Sequence, residues 1–109
     1  EFIQKRKIKN LYDKENFNLC FVGYFNHAPN KEGIEWYIKK VHPFLIQKNK
    51  NIFLNVVGRG DRDWMDDLQS HYKNIRFYGR VPDVIPYIKN ADLCIAPLFS
   101  LSFLTDKAE

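Results

Sequence analysis

"LNVVGRGDRDW" (residues 54–64) is an apolar run that ends in a glycine pair and passes directly into a helical pattern. Leu54, Val56 and Val57 suit a strand covered on both faces. Behind the turn, Trp64, Met65, Leu68 and Tyr72 recur on one helical face in "DRDWMDDLQSHY" (61–72). Strand, glycine turn and helix in succession form the unit of a parallel α/β sheet. At such a turn the missing side chain lets backbone approach a bound phosphate. Gly58, Arg59 and Gly60 are therefore candidate ligand contacts. A tight strand-to-helix turn without a ligand is the plainer reading of the same residues.

The unit repeats outward from this stretch. "NLCFVG" (18–23), "IFLNVVG" (52–58), "IRFYG" (75–79) and "ADLCIAP" (91–97) are short apolar runs closed by Gly or Pro. "IRFYG" is the most mixed and belongs near an edge. In "NKEGIEWYIKKVHPFLIQKN" (30–49), Ile34, Tyr37, Ile38, Val41 and Leu45 follow helical spacing. Asn30 is the expected N-cap, with Glu32 in the first turn. Pro43 conflicts with this helix, at about 3 kcal/mol in a regular interior, and predicts a kink or a new start. In "DVIPYIKN" (83–90), Asp83 can cap a short helix whose apolar face is Val84, Tyr87 and Ile88.

The order β-α-β-α-β-α-β predicts an α/β fold: a Rossmann-like three-layer α/β/α domain with a parallel sheet in the order 3-2-1-4 and right-handed crossovers. Ligands of such sheets bind beyond the carboxyl ends of the strands, where the order reverses. This directs attention to "GYFNHAPN" (23–30), "GRGDRD" (58–63), "GRVPD" (79–83) and "APLFSLSF" (96–103). Residues 1–17 read as a linker or amino-terminal arm, and residues 18–109 as the domain.

Composition narrows the chemistry. The 109 residues, 45% hydrophobic and 16% aromatic, suffice for one core and not for two domains. A net charge of +4 fits a phosphate-bearing partner, although much of the excess sits in Lys5, Arg6, Lys7 and Lys9 near one end, where charges are ordinarily solvated. Cys20 and Cys94 lie in apolar runs without metal-ligand spacing, so they read as reduced core thiols and point to the cytoplasm. No apolar run approaches the roughly 20 residues of a membrane span. The basic residues form no stripe interleaved with aromatics, which argues against a nucleic-acid partner. The loop after the first strand lacks the G-x-G-x-x-G of dinucleotide sites, and no G-x-x-x-x-G-K-[ST] exists. A receiver-like or flavodoxin-like signalling module would want acidic residues at the end of the first strand, and "CFVGYF" has none.

"FVGYFNHAPNKEGIEWYIKKVHPFL", "NVVGRG" and "IRFYGRVPDVIPYIKNADLCIAPL", in this order and spacing, resemble the carboxyl-terminal domain of the glycosyltransferase group 1 family. The resemblance covers roughly residues 18–100, and "GRVPDVIPYIKNADLCIAPL" is its most diagnostic part. It implies the truncated carboxyl-terminal half of a two-domain GT-B protein. It implies a retaining hexosyltransferase with a nucleotide-sugar donor as substrate, no metal and no separate cofactor, in bacterial surface-polysaccharide synthesis. Carried over residue by residue, the donor-binding positions are Gly23, Tyr24, Gly58, Arg59, Gly60, Arg80, Val81, Ser100 and Lys107; the catalytic residues are not assigned. The resemblance further implies a facing amino-terminal domain, without which this stretch is expected to be inactive. It places the protein in the cytoplasm, and Lys5, Arg6 and Lys7 are candidates for peripheral contact with the inner face of an anionic membrane.

The departures from the family pattern are specific. Tyr24 stands where many relatives carry Arg. Leu101 and Phe103 occupy expected glycines in "FSLSFLTDKAE" (99–109), where bulky side chains crowd a phosphate. Glu109 falls one residue short of the family's glutamate. These departures keep a second expectation open, a non-catalytic scaffold with a degenerate donor site.

Overall fold

The computed structural model describes residues 11–96. Four strands, β1 (Phe17–Val22), β2 (Ile52–Val57), β3 (Ile75–Gly79) and β4 (Leu93–Cys94), form one sheet in the order β3-β2-β1-β4. Every pairing is parallel. This is the Rossmann-like α/β arrangement expected, with the mixed "IRFYG" run at an edge.

Alternation along the strands divides the sheet into two faces. Leu19, Phe21, Leu54, Val56, Ile75 and Phe77 form one face and join Ile34, Tyr37, Ile38, Met65 and Leu68 in a single core cluster. That face is therefore covered by α1 (Ala28–Trp36), a π-helical turn (Tyr37–Val41), α2 (His42–Lys48) and α3 (Arg62–His71). The short α4 (Ile85–Lys89) lies against the other face, where Tyr87 meets Tyr78 edge-on at 5.0 Å. Tyr12 joins them: it is buried and its hydroxyl donates to the Tyr87 carbonyl at 2.9 Å. Asn18 and Asn55 are also buried on this face, and their buried side-chain polar atoms all have hydrogen-bond partners. Asn55 Nδ2 donates to the Leu19 carbonyl at 3.1 Å, and Asn18 Nδ2 to the Asp13 carbonyl at 3.0 Å.

Pro43 has the predicted consequence, in a particular form. A proline ring in a regular helix collides with the carbonyl four residues back. Here the preceding turn widens to π geometry, with the His42 N–H bonded to the Tyr37 carbonyl, and α2 restarts with Pro43 in its first turn. The extra residue turns His42 inward. His42 is buried, with Nδ1 3.0 Å from the Tyr37 hydroxyl and Nε2 3.2 Å from the Asn74 carbonyl. A carbonyl only accepts, so Nε2 carries the proton and Nδ1 accepts from Tyr37. Burial pushes the His42 pKa down and the Tyr37 hydroxyl up to about 12.

Two caps differ from expectation. Helix α1 begins at Ala28 with His27, not Asn30, at the N-cap. Pro29 suits the first turn, where its missing N–H costs nothing. Asn30 falls inside the helix, and its Nδ2 donates back to the Tyr24 carbonyl at 3.1 Å. At α4 the N-cap is Val84, not Asp83; Asp83 stands one residue earlier and still accepts the Ile85 N–H at 3.1 Å. Cys94, expected as a core thiol, is exposed among the described residues because β4 is a two-residue edge strand.

Candidate functional site

At the carboxyl ends of β1, β2 and β3 the backbone continues to hydrogen-bond past the strands. The Gly23 N–H donates to the Val57 carbonyl at 3.0 Å, the Phe25 N–H to Arg59 at 2.9 Å, and the Gly58 N–H to Gly79 at 2.8 Å. Three loops are thereby stitched edge to edge. The stitching also explains Gly58. Its φ is +143°, which only glycine adopts without strain, and a Cβ there would stand 1.6 Å from the Gly23 carbonyl oxygen. Gly58 is small because two backbones meet, before any ligand is considered. At Gly60 a Cβ would come within 2.9 Å of the Phe25 Cβ.

Phe25 holds the first loop down. It is 1% exposed, with ring centroids 5.6 Å from both Phe21 and Trp64. Trp64 in turn stacks edge-on against Phe77 at 5.5 Å and donates Nε1–H to Glu35 at 3.3 Å. The loop is thus pinned by an aromatic ladder, a rigid platform of the kind binding sites require.

On this platform the predicted residues come together in part. Tyr24 is half exposed, and its hydroxyl accepts from Asn26 Nδ2 at 3.0 Å. The Arg59 guanidinium lies 5.7 Å from the Tyr24 ring centroid, a cation–π contact linking the first and second loops. Among the described residues Arg59 and Arg80 have no carboxylate partner, whereas Arg62 pairs with Asp66 at 3.5 Å. The nearby carboxylates are occupied by backbone: Asp61 caps α3 by accepting the Trp64 N–H at 3.2 Å, and Asp83 accepts the Ile85 N–H ahead of α4. Val81 is half-buried in the loop after β3. Ser100 and Lys107, together with Leu101, Phe103 and Glu109, lie outside the described residues.

The amides divide into two groups. Those of Gly23 and Gly58 are consumed by the stitching. Those of Tyr24, Arg59 and Gly60 make no backbone hydrogen bond among the described residues. With two unpaired guanidinium groups and the positive end of α1 on the same rim, the arrangement suits an anion. The Tyr24–Arg59 contact and the Phe25 anchor were not foreseen from sequence. Spacing carries no sign of which side chains of two separate loops will stack.

The concavities lined by Asn18, Asn55, Arg76 and Tyr78, and by His42, Pro43, Ile46 and Tyr72, lie away from this rim. Among the described residues no helix is long and apolar enough to cross a membrane.

Comparison with known proteins adds two findings. The family model described as "Glycosyl transferases group 1" matches residues 16–105. An "Uncharacterized 44.6 kDa protein in cps region" of Klebsiella pneumoniae is 34% identical over 58 residues, which span 53% of this chain and 15% of that protein.

Proposed function

This chain belongs to the group 1 glycosyltransferase family, and from that premise we propose that its strand-end rim binds the diphosphate of a nucleotide-sugar donor in a retaining hexosyltransferase. The observation that carries this reading is the pairing of Tyr24 with an otherwise unpartnered Arg59 beside the free Arg59 and Gly60 amides. A diphosphate leaving group needs its charge met by preorganised donors, and these cost no reorganisation as the bond breaks. Each charge-assisted hydrogen bond contributes about 1.5–3 kcal/mol. Arg80 and Val81, at the end of β3, flank the place where the nucleoside would lie.

The acceptor is supplied by a facing domain, because transfer needs closure around both substrates. This stretch alone is therefore expected to bind a donor and not to turn it over. The genomic setting named for the Klebsiella relative supports a role in polysaccharide synthesis in bacteria. We place the reaction in the cytoplasm, at the inner face of the membrane where acceptors are lipid-linked, with Lys5, Arg6 and Lys7 as the contact.

Titration of the chain with UDP, GDP and ADP and their sugars, followed by amide NMR, tests the reading. Saturable shifts at Tyr24, Arg59, Gly60 and Val81 with one nucleotide are expected. Equal, non-saturating shifts at scattered lysines would reduce the rim to general charge attraction. No shifts, also in a chain extended past Glu109, would favour the scaffold reading to which Leu101 and Phe103 point.

A further inference from the structure

The parallel register of β1 and β4 sets Cys20 opposite Cys94. Register partners on parallel strands project to the same face, about 4.8 Å apart. That spacing falls inside the window of about 4.4–6.8 Å between Cα atoms that a disulfide spans. The pairing is held on both sides of the cysteines. The Asp92 N–H donates to the Asn18 carbonyl at 2.8 Å and the Ile95 N–H to the Cys20 carbonyl at 2.9 Å. The Asp92 carboxylate accepts the Asn18 N–H at 2.7 Å. Cys20 is fully buried, whereas Cys94 is exposed among the described residues.

We propose that Cys20 and Cys94 form a redox-active dithiol, closed to a cross-strand disulfide by a low-molecular-weight disulfide oxidant. The inference does not depend on nucleotide binding. The exposed Cys94 loses its proton and its sulfur attacks one sulfur of the oxidant. The oxidant's S–S bond breaks and one half leaves as a thiolate, which takes up the proton. Cys20 then loses its proton and attacks Cys94 Sγ, displacing the second half, which leaves with that proton as a thiol. Two protein thiols are oxidised and one small disulfide is reduced to two thiols. Burial pushes the Cys20 thiol up to about 11, so this second step is the slower one. A disulfide wants Cβ atoms about 3.8 Å apart, closer than side-by-side strands present them. The two-residue edge strand β4 must move by about 1 Å, the difference between those spacings. A bond closed under such strain is readily reduced, as switching disulfides are. Once closed it ties β4, whose carboxyl end leads toward the rim, to the centre of the sheet.

The test is to incubate the folded chain with oxidised glutathione, quench with iodoacetamide and measure intact mass. The expected product is lighter than the reduced chain by two hydrogens, carries no glutathione or alkyl group, and returns to the dithiol in excess reduced glutathione. The Cys94→Ser variant should yield no such species. Four results would overturn the proposal. They are a stable glutathione adduct on Cys94 with Cys20 still alkylated after unfolding, a Cys94-linked dimer, no reaction, and closure no faster in the folded chain than in urea.

Discussion

Replacing Gly58 by alanine separates two explanations of one glycine. If Gly58 is small to admit a phosphate, Gly58→Ala folds normally and loses only nucleotide. If it is small because backbones meet, the fold itself suffers. The added Cβ would stand 1.6 Å from the Gly23 oxygen, against an ordinary contact of about 3.5 Å, so one backbone must retreat by about 2 Å. Such a retreat breaks the Gly23–Val57 and Gly58–Gly79 hydrogen bonds, at about 1 kcal/mol each. Holding alanine at φ +143° adds about 1–3 kcal/mol. The loss is on the order of 4 kcal/mol, a large share of the roughly 5–15 kcal/mol of a small domain. Urea unfolding followed by the fluorescence of Trp36 and Trp64 should show a midpoint lowered by roughly 2 M, given slopes of about 1–3 kcal/mol per molar, or no folded baseline. Gly60→Ala, which meets only the Phe25 Cβ at 2.9 Å, should cost about 1 kcal/mol. A Gly58→Ala protein within about 0.5 kcal/mol of the parent, inside the range of neutral surface changes, would refute the backbone argument.

Arg59→Ala should weaken nucleotide binding by about tenfold or more, as expected for one charge-assisted bond, and leave the urea midpoint nearly unchanged because the side chain is exposed; calorimetric titration with the nucleotide that shifts the rim amides decides it, and an unaltered affinity removes Arg59 from the site. His42 makes stability depend on pH. Its folded pKa lies below the ordinary value of about 6.5 because burial disfavours the cation. Above that value both states are neutral and the full stability is present; as pH falls, the unfolded chain takes up the proton first and stability declines until the folded value is passed. Urea midpoints measured from about pH 7.5 to 5 should fall, and His42→Phe should flatten the decline; an equally steep decline in the variant would assign the dependence to other groups.

The alternation of strand and helix was legible because it is written in local periodicity. Apolar runs of strand length, helical stripes such as Trp64–Met65–Leu68–Tyr72, and the punctuation by Gly and Pro each act within a few residues. The alternation implied a parallel sheet, but 3-2-1-4 is one of two common doubly wound orders compatible with it, and only the packed sheet shows which is realised. Asn30 misled because an asparagine at a helix start serves equally as a cap or as an inward tether, and Pro29 drew the start three residues earlier. At the site, Gly58 and Arg59 were visible as residues worth watching, but their roles were not. Whether Gly58 faces ligand or backbone depends on how closely β1 and β2 approach, a separation that no local pattern encodes. The stacking of Arg59 on Tyr24, the burial of His42 between Tyr37 and Asn74, and the meeting of Cys20 with Cys94 join residues distant in the chain. Local chemistry determined which elements this protein has. Only the register and packing of the sheet decided which of their side chains meet, because such contacts are set by the closure of the core as a whole.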